Sequence, residues 1–437
     1  MRDIAILLFV LGSLPFILKR PWYGIMLWVW LGVMNPHKLS WGFAYDFPFA
    51  QLVAVITLLA LIFEGRKWQF PWGPPTVFLL LFALWMTVSS IFALYPDNIM
   101  STWTKVMKML FMVFVAFVAL YERKHLEWLV WTIVISLGFY GVKGGIFTIT
   151  GGAVDRVYGP PTTFIEENNT LAVALLMVIP LMWYLGTYAK KRWVKWAFMG
   201  SMVCCAAAAL GSYSRGAFVT IVVMSIFFWF KSRQKMKLAL LMLLVTPFLI
   251  TMLPEKWFHR MDTISTYEED ESSMGRINAW QNAFNLAKDR PLVGGGFDIY
   301  NAKVFSRYAP EPDKVHAAHS IYFSALGEHG WVGLSFFILC FVSTWRTGSW
   351  IVRHTKNKPH LKREQELATM VQVSLIAYAV GGAFLSLLYF DVPYYLIIVL
   401  VLLKRHVEEV EKAERPHVPI RKFGEVTAKP EVIQGKV

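Results

Sequence analysis

The sequence predicts an all-α polytopic membrane protein, and two observations carry that expectation. The first is composition. Of 437 residues, 56% are hydrophobic and 16% charged, where a soluble chain of this size carries about 25% charged residues; the mean hydropathy is +0.47. The second is patterning. Apolar runs near bilayer length recur from the first residues to about Leu402, separated by short polar loops. Nineteen Trp and thirty-three Phe suit the aromatic belts of lipid interfaces. The net charge of +14 does not point to a nucleic-acid partner, because the excess Lys and Arg sits in short loops, where it sets orientation.

The runs are 4–18, 22–34, 48–63, 75–94, 105–121, 127–149, 169–187, 195–211, 217–231, 237–253, 319–345, 367–390 and 393–403. The first two and the last are short for the ~20 residues a span needs, so about 12 spans are expected, with 13 as the upper count. Arg2 followed by the apolar stretch from Ile4 to Leu18, with no small-residue cleavage site after it, reads as a retained first helix. Cys204, Cys205 and Cys340 lie inside apolar runs and read as buried thiols, neither a disulfide framework nor a metal set. The chain lacks the paired broken helices in matching halves that mark a transporter.

Basic clusters alternate with polar loops along the whole chain. Lys19-Arg20, Arg66-Lys67, Arg123-Lys124, Lys190-Lys191-Arg192, Lys231 to Lys237, Arg353 to Arg363 and Lys404-Arg405 mark one side, which the positive-inside rule makes the cytoplasm. The loops at 35–47, 95–103, 150–168, 212–216, 254–318 and 391–392 are rich in Pro, Gly, Asn and Asp and face the other way. The expected organisation is a transmembrane bundle over 1–253, a large outer loop over 254–318, further membrane helices over 319–404 and a cytoplasmic tail over 405–437. Pro416, Pro419 and Pro430 argue for disorder in that tail.

The outer loop holds the densest mixture of chemistry-bearing side chains. Ser272 or Ser273 is placed to cap a helix ending near Lys288. Ile277, Trp280, Phe284 and Ala287 recur at helical spacing, giving an amphipathic helix suited to a membrane surface. Arg276 and Trp280 are four apart and share a face. The acidic run Glu268-Glu269-Asp270-Glu271 reads as solvated surface. Gly294-Gly295-Gly296 after Pro291 reads as a turn, the alternative being a close approach to a phosphate.

His319 stands where this loop meets the next helix. An imidazole of ordinary pKa suits general-base work near neutral pH. The spacing of Asp313, His316 and His319 leaves a metal site as the alternative. Arg215, in Gly211-Ser212-Tyr213-Ser214-Arg215-Gly216, falls on the outer side, where it cannot serve as a positive-inside anchor. It either snorkels to the interface or grips an anion with its planar fork. Lys105, Lys108 and Lys143 also fall toward outer helix ends. With Arg215 and Arg276 they make a basic pocket fit for a diphosphate headgroup, unless each merely snorkels. Walker, nucleophile-elbow, His-Glu-Xaa-Xaa-His and Rossmann patterns are absent from the sequence, as is an Asp-Xaa-Asp pair in the outer loops.

Five motifs in fixed order carry a resemblance. Ser214-Arg215-Gly216 opens a helix; Arg276 precedes Trp280; Pro291-Leu292-Val293-Gly294-Gly295-Gly296 makes the turn; His319-Ser320-Ile321-Tyr322 leads into Glu328-His329-Gly330-Trp331-Val332-Gly333. Together they resemble the bacterial O-antigen ligase superfamily, which also includes O-antigen polymerases, protein O-oligosaccharyltransferases and exosortase-linked O-glycosylation ligases. Asn169-Thr170-Leu171-Ala172 is similar to an Asn-Xaa-Leu-Ala pattern of that superfamily, and Tyr140-Gly141-Val142-Lys143-Gly144-Gly145 looks most like the exosortase-linked branch. Members usually carry His-Asn where this chain has His319-Ser320. The motif match covers mainly 140–333.

The resemblance implies a multi-span, GT-C-like glycosyltransferase that needs neither metal nor other cofactor. It would move a glycan from undecaprenyl diphosphate to an acceptor at the periplasmic face of the bacterial inner membrane. The expected activity is O-antigen ligase, with lipid A–core as acceptor; a polymerase would extend a growing chain, and an oligosaccharyltransferase would modify a protein. His319, Arg215 and Arg276 would be catalytic. Lys105, Lys108, Lys143, Asn169, Tyr213, Trp280, Gly294, Gly296 and His316 would bind substrate. The rival class is a lipid-glycan flippase or transporter, which would line a path through the bilayer with basic residues instead of clustering them at one face. Reporter fusions at Thr263 and Glu425 test the placement: they should report opposite compartments, and the same compartment for both would overturn the expected topology.

Overall fold

The computed structural model describes residues 2–151, 156–251, 255, 257–258 and 271–414. Most of the acidic run before Glu271, and the tail from 415 onward, lie outside the described residues. Among those described, the regular elements are all helical. They are α1 (Arg2–Lys19), α2 (Trp22–Val33), α3 (Phe49–Phe63), α4 (Pro74–Ile91), α5 (Ile99–Ala119), α6 (Arg123–Thr150), α7 (Asn168–Tyr188), α8 (Arg192–Leu210), α9 (Arg215–Lys231), α10 (Lys235–Thr251), α11 (Glu271–Asp289), α12 (Ala302–Tyr308), α13 (Ile321–His354), α14 (Lys362–Gly382) and α15 (Asp391–Glu414), with short 3-10 turns between some of them.

Each apolar run of the sequence is one of these helices, and α11 and α12 fold within the long loop. Among the described residues, six helices are long and apolar enough to cross a membrane by length and composition: α4, α5, α6, α7, α8 and α13. That is fewer than the 12 expected; two further apolar helices, α2 and α3, are shorter. The polar segment after Lys404 is not a separate tail at its start. Helix α15 continues through it to Glu414, where Lys358 bonds Glu411 at 2.9 Å.

Helix α7 is buried on nearly every side from Leu171 to Leu185, as an apolar-all-round sequence requires. Its neighbours pack through small residues. A Cβ at Gly145 of α6 would lie 2.2 Å from the Cys204 carbonyl of α8, so those helices cross backbone to backbone.

The basic residues gather at one end. There Arg123 donates to Glu364 (3.0 Å) and to the Tyr184 hydroxyl (2.9 Å), and Arg66 donates to Val118 O (2.7 Å). At the other end, Asp3 accepts from the Gly42 and Ala44 amides, Lys105 donates to Thr162 O, and Asn168 donates to Ser212 O.

Helix α13 is broken at Gly330, which takes φ +68° and ψ −173°. The break frees backbone groups that a hydrocarbon environment cannot satisfy. Each of four finds a specific partner. Gly327 O accepts from Gly295 N, Glu328 O from Gly296 N, and His329 O from Trp85 Nε1 (3.0 Å); Trp331 N donates to Pro291 O. The glycine turn is therefore shaped to fit the break. Gly294 (φ +61°) and Gly296 (φ +82°) occupy backbone space open to glycine, and a Cβ at Gly294 would fall 2.4 Å from Gly327 O.

Helix α11 corrects the expected amphipathic face. Its buried residues are Gly275, Asn278, Ala279, Asn282, Ala283, Leu286 and Ala287, while Phe284 is exposed. Of the expected stripe Ile277, Trp280, Phe284 and Ala287, Ala287 is buried, Ile277 and Trp280 are half-buried, and the buried face is displaced around the helix from Phe284. Small residues face α13, where Ala283 closes on Gly327. Asn278 faces inward because its side chain holds the following loop: its Nδ2 donates to Glu311 O and Lys314 O, and its Oδ1 accepts from Glu311 N. Ser273 sits inside the first turn of α11 rather than capping it, so the helix start lies further upstream than expected.

Gly330→Ala should destabilise the protein by about 1–3 kcal/mol, since it adds both a strained backbone and a clash 2.3 Å from Leu292 O. Thermal unfolding of the purified protein in detergent would show this as a lowered midpoint; an unchanged midpoint would mean the break is not a constraint.

Candidate functional site

Helix α9 begins at Arg215, after a turn in which Tyr213 takes φ +56° and Ser214 caps the helix through Ala217 N. The start of α9 therefore projects Arg215 from a fixed base. Its Nη2 donates to Ser273 Oγ at 3.0 Å, in the first turn of α11. Arg276 is one helical turn further along α11, on the same face as Ser273. The two guanidinium groups are thus brought to one place by α9 and α11.

His319 precedes α13 and takes φ +44°, a left-handed conformation that is costly for a non-glycine residue and found often at functional sites. Its ring packs 5.3 Å from that of His316, and its Nδ1 lies 3.4 Å from Ser386 Oγ. His316 rests against Gly275, where a Cβ would fall 2.9 Å from its Cδ2. Trp280 donates from Nε1 to Ala318 O at 2.7 Å and stacks on Phe323 with centroids 5.0 Å apart, fixing the backbone on either side of His319. Burial, then the Arg276 guanidinium and then His316 push the His319 pKa down to about 4. The ring is therefore neutral at neutral pH, able to accept a proton, and a weaker base than the ordinary imidazole expected from sequence.

A second group of expected residues lies elsewhere. Lys105 and Lys108 line a cavity of about 740 Å³ between α2, α3, α5 and the start of α15, together with Asn35, His37 and Asp391. Lys143 is not with them. It is exposed on α6 beside a separate apolar hollow that includes Met182 and Phe198. The single basic pocket expected from sequence is therefore divided, because α6 turns Lys143 to a different face. Asn169 accepts from Asn168, and it is Asn168 that ties α7 to the Arg215 turn through Ser212 O at 2.7 Å. Gly294 and Gly296 are buried; the close approach they permit is to Gly327 and Ala93, not to a phosphate.

Sequence reasoning saw Ser273 only as a helix cap and did not single out Ser386, Asn168 or Asp391. Ser386 follows Phe384, whose Cβ lies 3.1 Å from the position a Gly216 Cβ would take. The segment after α14 thus touches both the Arg215 helix and His319. An apolar cleft of about 540 Å³ runs between α8, α9 and α10 beside this site, lined by residues such as Met202, Phe218, Met224 and Leu241. Trp257 closes the cleft at the Arg215 end by donating to Leu210 O.

Residues 200–338 match the family model described as O-antigen ligase. That stretch is therefore similar to the O-antigen ligase and polymerase superfamily. The matched stretch of this superfamily domain holds Arg215, Arg276, the glycine turn and His319, and leaves Lys105, Lys108, Lys143 and Asn169 outside. Those four fall in residues 1–190, which match a family of unknown function (DUF5935). A comparison with curated proteins found no match.

The depressed His319 pKa is open to direct measurement. Acylation by diethyl pyrocarbonate requires the neutral ring, so its pH dependence at His319, followed by mass spectrometry, should show a midpoint near 4. In Arg276→Gln the midpoint should move up, since a cation that disfavours protonation is gone. A wild-type midpoint near 6.5 would contradict the buried, cation-flanked environment.

Proposed function

We propose that this protein is an O-antigen ligase of the bacterial inner membrane, transferring a glycan from undecaprenyl diphosphate to lipid A–core at the periplasmic face. The observation that carries this reading is the joining of two arginines and a neutral histidine at one end of a helical bundle. Arg215 and Arg276 are positioned as planar forks for a diphosphate. His319 is the neutral base beside them. The apolar cleft along α8–α10 offers the polyprenyl chain of the donor a place next to its headgroup.

The chemistry is a single inverting displacement. The acceptor hydroxyl attacks the anomeric carbon as the bond from that carbon to the diphosphate oxygen breaks. The hydroxyl proton passes to Nε2 of His319. Donation from His319 Nδ1–H to Ser386 Oγ would set that tautomer and leave Nε2 free to accept. The two guanidinium groups stabilise the charge that develops on the leaving diphosphate, which no metal is then required to balance. A bound diphosphate would also offset the Arg276 charge and raise the His319 pKa toward neutrality, strengthening the base when donor is present.

The topology follows the Lys/Arg pattern: the basic end of the bundle faces the cytoplasm, with α15 and the C-terminus, and the Arg215–His319 end faces the periplasm.

Two measurements test this function. His319→Ala should lower transfer from undecaprenyl-diphosphate glycan to lipid A–core by roughly 10²–10⁴-fold while donor binding survives, and the wild-type rate should be unaffected by EDTA. Undiminished transfer by the variant, or loss of activity in chelator, would exclude the mechanism. Arg215→Lys should also lose most activity, because the ammonium keeps the charge but not the bidentate geometry; near-normal rates in both Arg215→Ala and Arg276→Ala would remove the arginines from it.

A further inference from the structure

The cavity of about 740 Å³ at the α2, α3 and α5 ends has no part in the chemistry just described. Its size falls in the ~300–1,000 Å³ range of ligand sites, and its lining is that of a saccharide site. Trp28 and Phe47 offer flat apolar faces, and Gln51 and Thr104 offer hydrogen bonds. Three charged groups face it: Lys105, Lys108 and Asp391. His37 adds no charge at neutral pH, since burial and then Lys38 push it down to about 4. The lining is thus net positive.

The wall is held in place. Lys105 Nζ donates to Thr162 O at 2.9 Å and sits 4.2 Å over the Phe164 ring. Asn35, at φ +50°, donates to Pro161 O at 2.8 Å, and Lys38 bonds Asp46 at 3.3 Å to brace the loop between α2 and α3. Both lysines remain exposed.

The position of the cavity distinguishes it from a donor site. The apolar cleft and Arg215 lie on the α8–α10 side. The cavity lies on the α2–α5 side, and the chain segment Ala383–Phe390 connects the two: Ser386 reaches His319, while Phe390 and Asp391 line the cavity. A base meets the acceptor hydroxyl away from the leaving group, and the segment that carries Ser386 joins the base to this cavity rather than to the apolar cleft.

We propose that this cavity binds the acceptor through an acidic saccharide, one bearing phosphate or carboxylate, with Lys105 and Lys108 pairing its charge. The proposal rests on the transfer reaction above for its term "acceptor", but the binding itself does not. The test is isothermal titration of the full-length protein in detergent with glucose 1-phosphate, methyl glucoside and inorganic phosphate as probes. Glucose 1-phosphate should bind more tightly than either other probe. Its Kd should rise at least about tenfold in Lys105→Met/Lys108→Met, a loss of about 1.4 kcal/mol, and stay unchanged in Arg215→Ala and His319→Ala. In transfer assays the double variant should raise KM for acceptor and leave KM for donor alone.

Equal affinity for the neutral glycoside, binding untouched by the double variant, or binding lost in Arg215→Ala would each overturn the proposal. A wild-type protein that binds the sugar phosphate in this lysine-dependent way and transfers nothing would support the cavity and refute the transfer reaction. Normal transfer with normal acceptor KM in the double variant would do the reverse.

Discussion

The structure depends on the backbone seam between the Pro291–Gly296 turn and the break of α13 at Gly330. A helix interrupted inside an apolar bundle exposes carbonyls and amides with no water to receive them, at a cost of several kcal/mol for each unpaired group. Here the interruption is closed from outside the helix by the amides of Gly295 and Gly296, the indole of Trp85 and the carbonyl of Pro291. The turn that supplies those partners follows directly from α11. Closing the break therefore docks α11 on α13, and so sets Arg276 against His319.

A buried polar network continues from that seam. His329 hydrogen-bonds through Nδ1 to the Ser89 hydroxyl and through Nε2 to the Tyr389 hydroxyl, both at 2.7 Å, and the Tyr389 hydroxyl donates to Glu328. Tyr389 belongs to the segment that also carries Ser386 and leads to Asp391. The network joins α4, α13 and this segment, so that the residues touching His319 and those lining the cavity rest on one support. Satisfied buried networks of this kind fix a single arrangement, because any slippage leaves a polar group stranded in a low-dielectric interior.

The site was partly legible in the sequence. Arg215, Arg276, His316 and His319 stood out because charged and imidazole side chains are few in such an apolar chain, and Trp280 because it lies one turn from Arg276. The structure brings these together. Lys143 looked equivalent to Lys105 and Lys108 because all three fall near helix ends; which way a helix turns a side chain depends on its neighbours, and α6 turns Lys143 outward. The glycine turn looked like a ligand loop, because glycine permits close approach without saying to what. Ser386 and Asn168 carried no pattern at all, and Ser273 only that of a helix cap. They are common residues whose importance comes from distant chain segments. The α11 face is shifted because Asn278, whose side-chain amide pairs with the backbone of the following loop, is at home in the interior.

The sequence by itself determined that the chain is helical, where its apolar helices run, which loops are basic and which motifs resemble the superfamily whose model residues 200–338 match. These properties are local: they follow from the apolar content of single stretches and from charges beside them, and each stretch reports its own. Only the tertiary structure decided that α13 is broken and by what it is closed, that the lysines divide into two places, that His319 is held neutral, and that a cavity lined by Lys105 and Lys108 is joined to the base through the Ser386 segment. Those depend on which backbone groups meet across hundreds of residues of chain, and on how burial and neighbouring cations act on a side chain once it is enclosed.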